Sequence, residues 1–192
     1  MKVLLHICCG VCASSVVERL MCEGYTVTGY FYGPNIHPHD EYDRRLDAAR
    51  AVAREMRFDL IEGKYDRERW FEAVKGAENA PEGGKRCEIC FRLRLEAAYR
   101  QMRKNMFDRF TTTLTVSPLK DAVLVNRLGR EIGGDKFIIA DFKKKEGCKR
   151  AVELSREMGL YRQDYCGCVY SQEEAIRSRE RRSRENGNAD RA

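Results

Sequence analysis

The sequence predicts an α/β fold: a single domain with a mostly parallel sheet and flanking helices. Short apolar segments alternate with longer amphipathic segments, and turn residues separate them without any internal repeat. Strands that alternate with helices at this spacing are joined as parallel neighbours by crossover helices. A chain of 192 residues can bury the core of one such domain and is short for two.

In the first half of the chain, apolar runs and helical periodicity give the following order: strand 3–7, helix 11–22, strand 26–32, helix 40–56, strand 58–62 and helix 66–74. The turn Gly33-Pro34-Asn35 closes the second strand. The second helix is charged and amphipathic, because Leu46, Ala49 and Val52 share one of its faces. These segments predict two strand–helix–strand units.

In the second half, a turn over 80–84 is followed by these elements: helix 91–104, strand 109–116, helix 119–131, strand 136–140 and helix 148–158. Residues 172–192 consist mainly of Gln, Glu, Arg, Ser and Asn. We expect this tail to be solvated and partly disordered, because it has little apolar surface to bury. The sequence therefore predicts a domain over 1–171 and a charged tail over 172–192.

The composition favours a soluble protein with a polyanionic partner. The 36 Lys and Arg exceed the 30 Asp and Glu by six, and no apolar run approaches the roughly 20 residues that span a bilayer. The N-terminal segment is too short for a signal peptide, so we expect a cytoplasmic protein without a membrane partner. Basic runs offer phosphate contacts or solvated helix faces: 100–104, 143–145 and 149–150.

Aromatic residues add to this interpretation, since Trp70, Tyr42 and Phe91 could stack on an RNA base. The arginines of the tail alternate with glutamates, so we expect no strong non-specific binding from them.

Nine cysteines are many for a chain of this kind, and seven of them fall into three groups: Cys8, Cys9 and Cys12; Cys87 and Cys90; Cys166 and Cys168. Reduced cysteines in such groups are typical of metal ligands or redox couples. The isolated Cys22 and Cys148 fit small apolar core residues. The first group directly follows the first strand, and the carboxyl ends of parallel strands are where ligands gather. The sequence thus predicts a cysteine-rich active site at this edge of the sheet.

The first two groups supply four thiolates for a metal, from Cys8, Cys9, Cys87 and Cys90. Neighbouring cysteines that leave a strand diverge, so a single zinc ion about 2.3 Å from every sulfur is hard to reach. A 4Fe–4S cluster offers a separate iron to each sulfur and suits the spacing better. Both metals remain open at this point.

The third group is Cys166-Gly167-Cys168. A disulfide across one residue is strained, and strained disulfides tend to be labile and catalytic. This pair therefore suits a transient redox couple or the ligation of a second metal, and otherwise a turn with two buried thiols.

Four segments together resemble the QueH family of cobalamin-independent epoxyqueuosine reductases: 5–12, 32–38 with Glu41-Tyr42 and Arg45, 81–91, and 160–171. They occur in the family's order and extend from about residue 2 to 171. One departure is Gly10-Val11, where members of the family often carry Ala-Pro.

The resemblance implies reduction of epoxyqueuosine in tRNA to queuosine, the last step of queuosine synthesis. It also implies a 4Fe–4S cluster held by Cys8, Cys9, Cys87 and Cys90. The pair Cys166 and Cys168 would be redox-active or bind an additional mononuclear iron. The implied partners are tRNA carrying epoxyqueuosine and an external electron donor, not DNA.

The resemblance further implies a sheet like that of the adenine-nucleotide α-hydrolase group. The phosphate-binding loop of that group is replaced here by cysteines, which argues against an ATP-consuming enzyme.

The mechanistic hypothesis is that an iron with an open position polarises the epoxide oxygen, the cluster passes electrons, and a nearby acid protonates the leaving oxygen. Asp141, at a predicted strand end, is the candidate acid or iron ligand, and a plain acidic cap is its alternative role. Further candidate acids are Asp66, Asp121 and Tyr165, and His37 could hold substrate. The rival functions are a zinc-binding RNA-binding module without catalysis and a reductase of the free nucleoside.

Overall fold

The structure is a computed structural model that describes residues 1–189, with side chains described through residue 184. Its strands are β1 (Lys2–Ile7), β2 (Thr26–Phe31), β3 (Asp59–Glu62) and β4 (Arg109–Thr112). Its α-helices are α1 (Gly10–Cys22), α2 (His39–Glu55), α3 (Arg67–Val74), α4 (Lys85–Lys104), α5 (Ala122–Gly133), α6 (Gly147–Glu157) and α7 (Val169–Ala189). The order of strands and helices confirms the predicted α/β class.

The four strands form one parallel sheet in the order β3-β2-β1-β4. Leu5 of β1 lies opposite Gly29 of β2 and Thr111 of β4, which sets the register. After the exposed Lys2 at its start, the central strand β1 is buried and is apolar except at His6, as expected for a strand covered by helices on both sides. The ring of His6 is within hydrogen-bond distance of Thr112 Oγ1 (2.8 Å) and of the Tyr32 carbonyl (2.9 Å).

Two apolar cores lie on opposite faces of the sheet. On one face, α1 packs between α2 and α6 over residues such as Leu5 and Phe31. On the other face, α4 packs between α3 and α5 over residues such as Leu4 and Phe110. Because both faces are covered, the carboxyl edge of the strands is left as the natural place for a site.

The predicted strand 136–140 is wrong. The structure has a short 3₁₀ turn at Gly134–Lys136 and a single bridge between Phe137 and Phe110. The amide of Asn126 exchanges two hydrogen bonds with the backbone of Ala140, at 3.1 and 3.2 Å. The Thr111 hydroxyl donates to the Ile138 carbonyl at 3.1 Å. Side chains therefore satisfy backbone groups that a fifth strand would pair.

Two predicted boundaries also differ. The strand predicted over 109–116 ends at Thr112 and continues as a 3₁₀ helix, Thr113–Val116, since the Thr112 hydroxyl accepts a hydrogen bond from the Leu114 amide at 3.1 Å. The helix predicted over 91–104 begins at Lys85, because the amides of its first turn bond to the Gly84 carbonyl. The second cysteine group is therefore inside a helix rather than ahead of it.

The segment expected to be partly disordered is helical over residues 172–189, within α7, while residues 190–192 lie outside the described part. Three ion pairs fix this helix: Arg177–Glu173 (3.1 Å), Arg86–Glu174 (3.1 Å) and Arg179–Asp164 (2.7 Å). The helix crosses the predicted boundary at 171/172, and the division into domain and tail stays a prediction. Among the described residues, no helix is long and apolar enough to cross a membrane.

Candidate cysteine-lined active site

A cavity of about 240 Å³ opens at the carboxyl edge of the sheet, beyond the ends of β1 and β4. Its walls include five cysteines from three parts of the chain: Cys8, Cys9, Cys12, Cys148 and Cys166. Leu114, Val116 and Leu119 add apolar wall, and Lys120 adds a cation. This position at the strand ends agrees with the sequence prediction.

The first cysteine group lies where β1 ends and α1 begins. Cys9 is the N-cap of α1, and its sulfur accepts a hydrogen bond from the Cys12 amide at 3.4 Å. Hydrogen bonding to Cys12 raises the pKa of the Cys9 thiol to about 11. Hydrogen bonding to Cys9, together with burial, raises the pKa of the Cys8 thiol. As free thiols these groups stay protonated at neutral pH, and a bound metal cation would reverse that preference.

The second group is on α4, where Cys87 and Cys90 are three residues apart and therefore face the same side. Both are buried, and the Gly83 amide donates a hydrogen bond to the Cys87 sulfur at 3.2 Å. Burial raises the pKa of Cys87 to about 11. Cys90 packs in a small cluster with Trp70 and Cys168, which places the second group against the third.

The third group is in the loop before α7 and is clamped to α2. Arg45 donates to the carbonyls of Cys166 (2.9 Å) and Tyr165 (3.1 Å), while its Nε pairs with Glu41 at 2.6 Å. Gly167 has φ 140°, and an added Cβ would lie 3.1 Å from the Arg45 guanidinium. Glycine is therefore required here by both conformation and space.

Arg94 links the three groups. It is 1% exposed, and its guanidinium lies 4.0 Å from the Cys90 sulfur. Burial lowers the pKa of Arg94, but the attraction of Cys8, Cys90 and Cys166 outweighs it and raises the pKa above its ordinary value. Cys8 and Cys166 line one cavity, and Cys90 packs against Cys168, so the structure brings the three groups together.

Lys120 is the second cation of the site. Burial lowers its pKa, and the attraction of Cys166, Cys8 and Cys12 outweighs that effect. This attraction requires charged sulfurs, so Lys120 is held as an ammonium group when these cysteines are thiolates, the form that a bound metal favours. Two fixed cations suit a thiolate-bound centre, because they offset the negative charge that several thiolates bring.

The donor set consists of sulfur ligands, which are soft and are of the kind that iron–sulfur clusters and zinc take. Among the residues that the structure describes, no group of three or more His, Cys, Asp or Glu side chains is placed to hold a metal ion. Cys8, Cys9, Cys87 and Cys90 are the residues that would hold a cluster.

The structure does not bring Asp141 to the cysteine cavity. Asp141 lines a different cavity, its carboxylate accepts from the Lys143 amide at 3.2 Å, and it lies 3.7 Å from the Lys143 ammonium. The prediction of Asp141 as the catalytic acid or iron ligand has no support in its position, and its alternative role as a local cap is what the hydrogen bond shows. The preceding segment is not a strand, so the residue is not at a strand end.

The weaker acid candidates differ in position. Asp121 caps α5, because its carboxylate accepts from the Val123 amide at 2.8 Å. Asp66 is the N-cap residue of α3 and lines another cavity. Tyr165 does line the cysteine cavity, and its hydroxyl donates to the His37 carbonyl. His37 itself is buried against Phe71, with ring centroids 4.7 Å apart.

The predicted stacking residues Trp70, Tyr42 and Phe91 are 1%, 6% and 3% exposed, so the prediction that they stack on a base is wrong. Their large apolar surfaces contribute more inside the core than at a surface. The isolated cysteines also differ from expectation. Cys22 is exposed rather than in the core, and Cys148 lines the cysteine cavity.

Sequence reasoning missed Arg94 and Lys120. Arg94 follows Cys90 by four residues, which on one helix places both on the same face. That spacing was a usable signal once the helix was known to begin at Lys85. Lys120 follows Ser117-Pro118 in a loop, and no local pattern distinguishes it from other surface lysines.

Together these features define an α/β protein whose parallel sheet carries a cavity lined by cysteines at its carboxyl edge. Residues 3–174 match the sequence model of the family described as Epoxyqueuosine reductase QueH. The chain belongs to this family, whose members are named as reductases and are thus oxidoreductases.

Three relatives with the name Epoxyqueuosine reductase QueH are matched over 70% or more of their length. The Haemophilus influenzae protein is 38% identical over 188 residues, covering 96% of this chain and 77% of the relative. The Thermotoga maritima protein is 36% identical over 175 residues, covering 88% and 89%. The Streptococcus pyogenes protein is 36% identical over 179 residues, covering 88% and 70%.

Proposed function

We propose that this chain reduces epoxyqueuosine in tRNA to queuosine, using a 4Fe–4S cluster held by Cys8, Cys9, Cys87 and Cys90. The observation that carries the proposal is that Cys8, Cys9 and Cys166 line one cavity at the carboxyl edge of the sheet, while Cys90 of the second group packs against Cys168 of the third. Family membership supplies the substrate, since the relatives are named for epoxyqueuosine.

The reaction removes the bridging epoxide oxygen. Both C–O bonds break, a carbon–carbon double bond forms, and two electrons with two protons convert the oxygen to water. An external donor of unidentified nature must supply the electrons. A cluster held by Cys8, Cys9, Cys87 and Cys90 would supply one-electron transfer, and Cys166 and Cys168 would hold the additional iron, which would supply Lewis-acid chemistry.

The chain itself binds and orients the substrate. The apolar wall of Leu114, Val116 and Leu119 suits the cyclopentane ring, and the Lys120 ammonium can donate a hydrogen bond to the epoxide oxygen. A cation beside an oxygen that gains negative charge stabilises the transition state more than the ground state. Cys166 lines the cavity while Cys168 is buried beside Ser171, so Cys166 is the member of the pair that faces substrate.

We place the reaction in the cytoplasm, where thiols are kept reduced. The sheltered cavity favours a nucleotide that has been turned out of a loop, because single-stranded loops are the parts of RNA whose bases can be splayed out.

The test is anaerobic reduction of tRNA that carries epoxyqueuosine, with a chemical reductant in place of the donor. We expect loss of the epoxide and appearance of the alkene by mass spectrometry of digested tRNA. Replacing Cys87 or Cys90 by Ala should remove iron, sulfide and activity together. Replacing the exposed Cys22 by Ala is the matched control and should leave all three unchanged.

Unchanged epoxide despite an intact cluster and a competent reductant would sink the proposed reaction. A colourless protein with one zinc per chain would instead indicate the RNA-binding module without catalysis. Reduction of the free nucleoside at the same kcat/KM as tRNA would move the substrate to the nucleoside.

A further inference from the structure

A second cavity, of about 560 Å³, continues outward from the cysteine cavity. The two cavities share five wall residues: Glu82, Leu119, Asp164, Tyr165 and Cys166. Leu119 is 73% exposed at this shared rim. The second cavity is therefore the outer part of one groove that leads to the cysteines.

The outer wall of this groove is one face of α7. The residues that line it recur at helical spacing: Glu174, Arg177, Ser178, Arg181 and Arg182. Positions separated by three and four residues lie on the same side of a helix. Arginines and glutamates alternate along the sequence of this segment. In the helix, Arg177, Arg181 and Arg182 lie on the face that lines the groove.

Two of the three carboxylates that line this groove are paired with arginines, and the third is Glu82 at the shared rim. Glu174 pairs with the buried Arg86 at 3.1 Å, and Asp164 pairs with Arg179 at 2.7 Å. These pairs leave Arg181 and Arg182, both exposed, as cationic side chains at the lip. We refer to Arg177, Arg181 and Arg182 as the arginine lip.

We infer that the arginine lip binds the phosphodiester backbone of tRNA on either side of the modified nucleotide. This inference rests on the proposed function and adds where the RNA lies. A nucleotide whose base reaches the cysteine cavity leaves its flanking phosphates at the mouth of the groove, which is where the lip is. Guanidinium groups bind phosphate by two parallel hydrogen bonds, which makes arginine suited to this role.

The test compares two double variants with the same change in charge. Arg181→Gln/Arg182→Gln removes two cations from the lip, and glutamine keeps the helix propensity. Arg54→Gln/Arg103→Gln removes two exposed arginines from the last turns of α2 and α4, at the opposite edge of the sheet. The measurement is the affinity of the anaerobic holoprotein for a tRNA transcript at several salt concentrations.

We expect the lip variant to bind tRNA about tenfold more weakly at moderate salt. The slope of log affinity against log salt should fall by about 1.4 to 1.8, since each lost phosphate contact removes about 0.7 to 0.9. The control should keep the affinity and slope of the parent chain. Arg181→Lys/Arg182→Lys should have the salt slope of the parent chain and an affinity between those of the parent and the glutamine variant. Lysine keeps the positive charge but cannot donate the two parallel hydrogen bonds of a guanidinium group.

Unchanged affinity and slope in the lip variant would overturn the inference, as would equal losses in lip and control variants. Far-ultraviolet circular dichroism and the visible spectrum of the holoprotein show whether each variant is folded. If the parent protein reduces epoxyqueuosine and the lip variant binds tRNA normally, the inference about the lip is wrong and the proposed function stands. If the parent protein binds tRNA through the lip but leaves the epoxide intact, the proposed function is wrong and the inference about the lip stands.

Discussion

His6, Arg45 and Arg94 show how polar side chains are used inside this protein. Each is 1% exposed or less, and each has a partner: His6 in the neighbouring strand, Arg45 in Glu41 and the loop of Cys166, Arg94 in the thiols. A buried charge without a partner would cost several kcal/mol. The contacts of Arg45 therefore favour the observed conformation of the loop that carries Cys166.

His37 is a residue whose burial has a consequence for pH. Burial, together with the nearby charge of Arg67, lowers its pKa from 6.5 to about 4. The unfolded chain takes up a proton on this ring near pH 6.5, whereas the folded chain does so only near pH 4. The stability that the neutral ring contributes is therefore complete above pH 6.5 and is lost as the pH falls toward 4.

We predict that His37→Phe flattens the fall in unfolding free energy between pH 6.5 and 4, by up to about 1.4 kcal/mol per pH unit. Phenylalanine can keep the stacking on Phe71 and takes up no proton. The measurement is urea unfolding at half-unit pH steps. His39→Gln, at an exposed position, is the control and should keep the fall that His37 causes. Identical slopes in His37→Phe and the parent chain would contradict this account.

At the scale of elements, the site depends on where three helices begin. The N-termini of α1 and α4 carry the first two cysteine groups, and α6 begins beside Cys148. Helix N-termini present free amides and a positive dipole end, so they favour thiolate and other anions. Small shifts of these helices would therefore change the geometry of the thiols directly.

Gly10 shows how closely α1 is held. A Cβ at this position would lie 2.5 Å from the carbonyl oxygen of Ala48 in α2. We predict that Gly10→Ala destabilises the chain by about 1 to 3 kcal/mol, the usual cost of overpacking, and lowers iron retention. Chemical denaturation and iron analysis of anaerobically purified protein measure the two effects.

The double variant Gly10→Ala/Ala48→Gly tests whether the added Cβ clashes with the backbone of Ala48 or with its side chain. The clash is mainly with backbone atoms of Ala48, and its Cβ is the more distant contact at 3.0 Å. We therefore expect the double variant to recover little of the lost stability. Full recovery would mean that side-chain crowding, rather than the approach of the two backbones, requires glycine at this position.

At the scale of the whole molecule, the surplus of six positive charges favours binding of a polyanion but does not indicate where the polyanion binds. The sequence indicated the lysines at 143–145 as phosphate contacts, and two of them, Lys144 and Lys145, occupy a separate region. Lys144 and Lys145 line cavities that share no wall residue with the cysteine cavity or with the groove beside α7. Lys143 donates to the Lys120 carbonyl at 3.0 Å.

We predict that Lys144→Gln/Lys145→Gln changes the affinity for tRNA by less than about threefold at moderate salt, because only a distant contribution to the field is lost. The same tRNA titration used for the lip variants measures it. A loss as large as that of Arg181→Gln/Arg182→Gln would show that the RNA extends across this second face.

Much of the fold could be predicted, because it depends on local signals. The apolar run of β1, the helical periodicity of α1 and α2 and the turn at residues 33–35 each predicted the right element. The strand predicted over 136–140 is reduced to a single bridge with Phe110, because the side chains of Asn126 and Thr111 bond to the backbone of Ala140 and Ile138, which no local pattern reveals. The helix of residues 172–189 forms ion pairs with Arg86 and Asp164, which are far away in the sequence.

The sequence by itself determined the α/β class, the edge of the sheet that carries the site, the three cysteine groups and the family. Those features follow from periodicity, from the position of residues at strand ends and from motifs that are contiguous in the chain. The tertiary structure alone decided that Arg94 and Lys120 lie among the thiols, that Asp141 does not, and that the arginines of α7 line the approach. These are contacts between segments distant along the chain, and only packing of the helices around the sheet fixes which of them form.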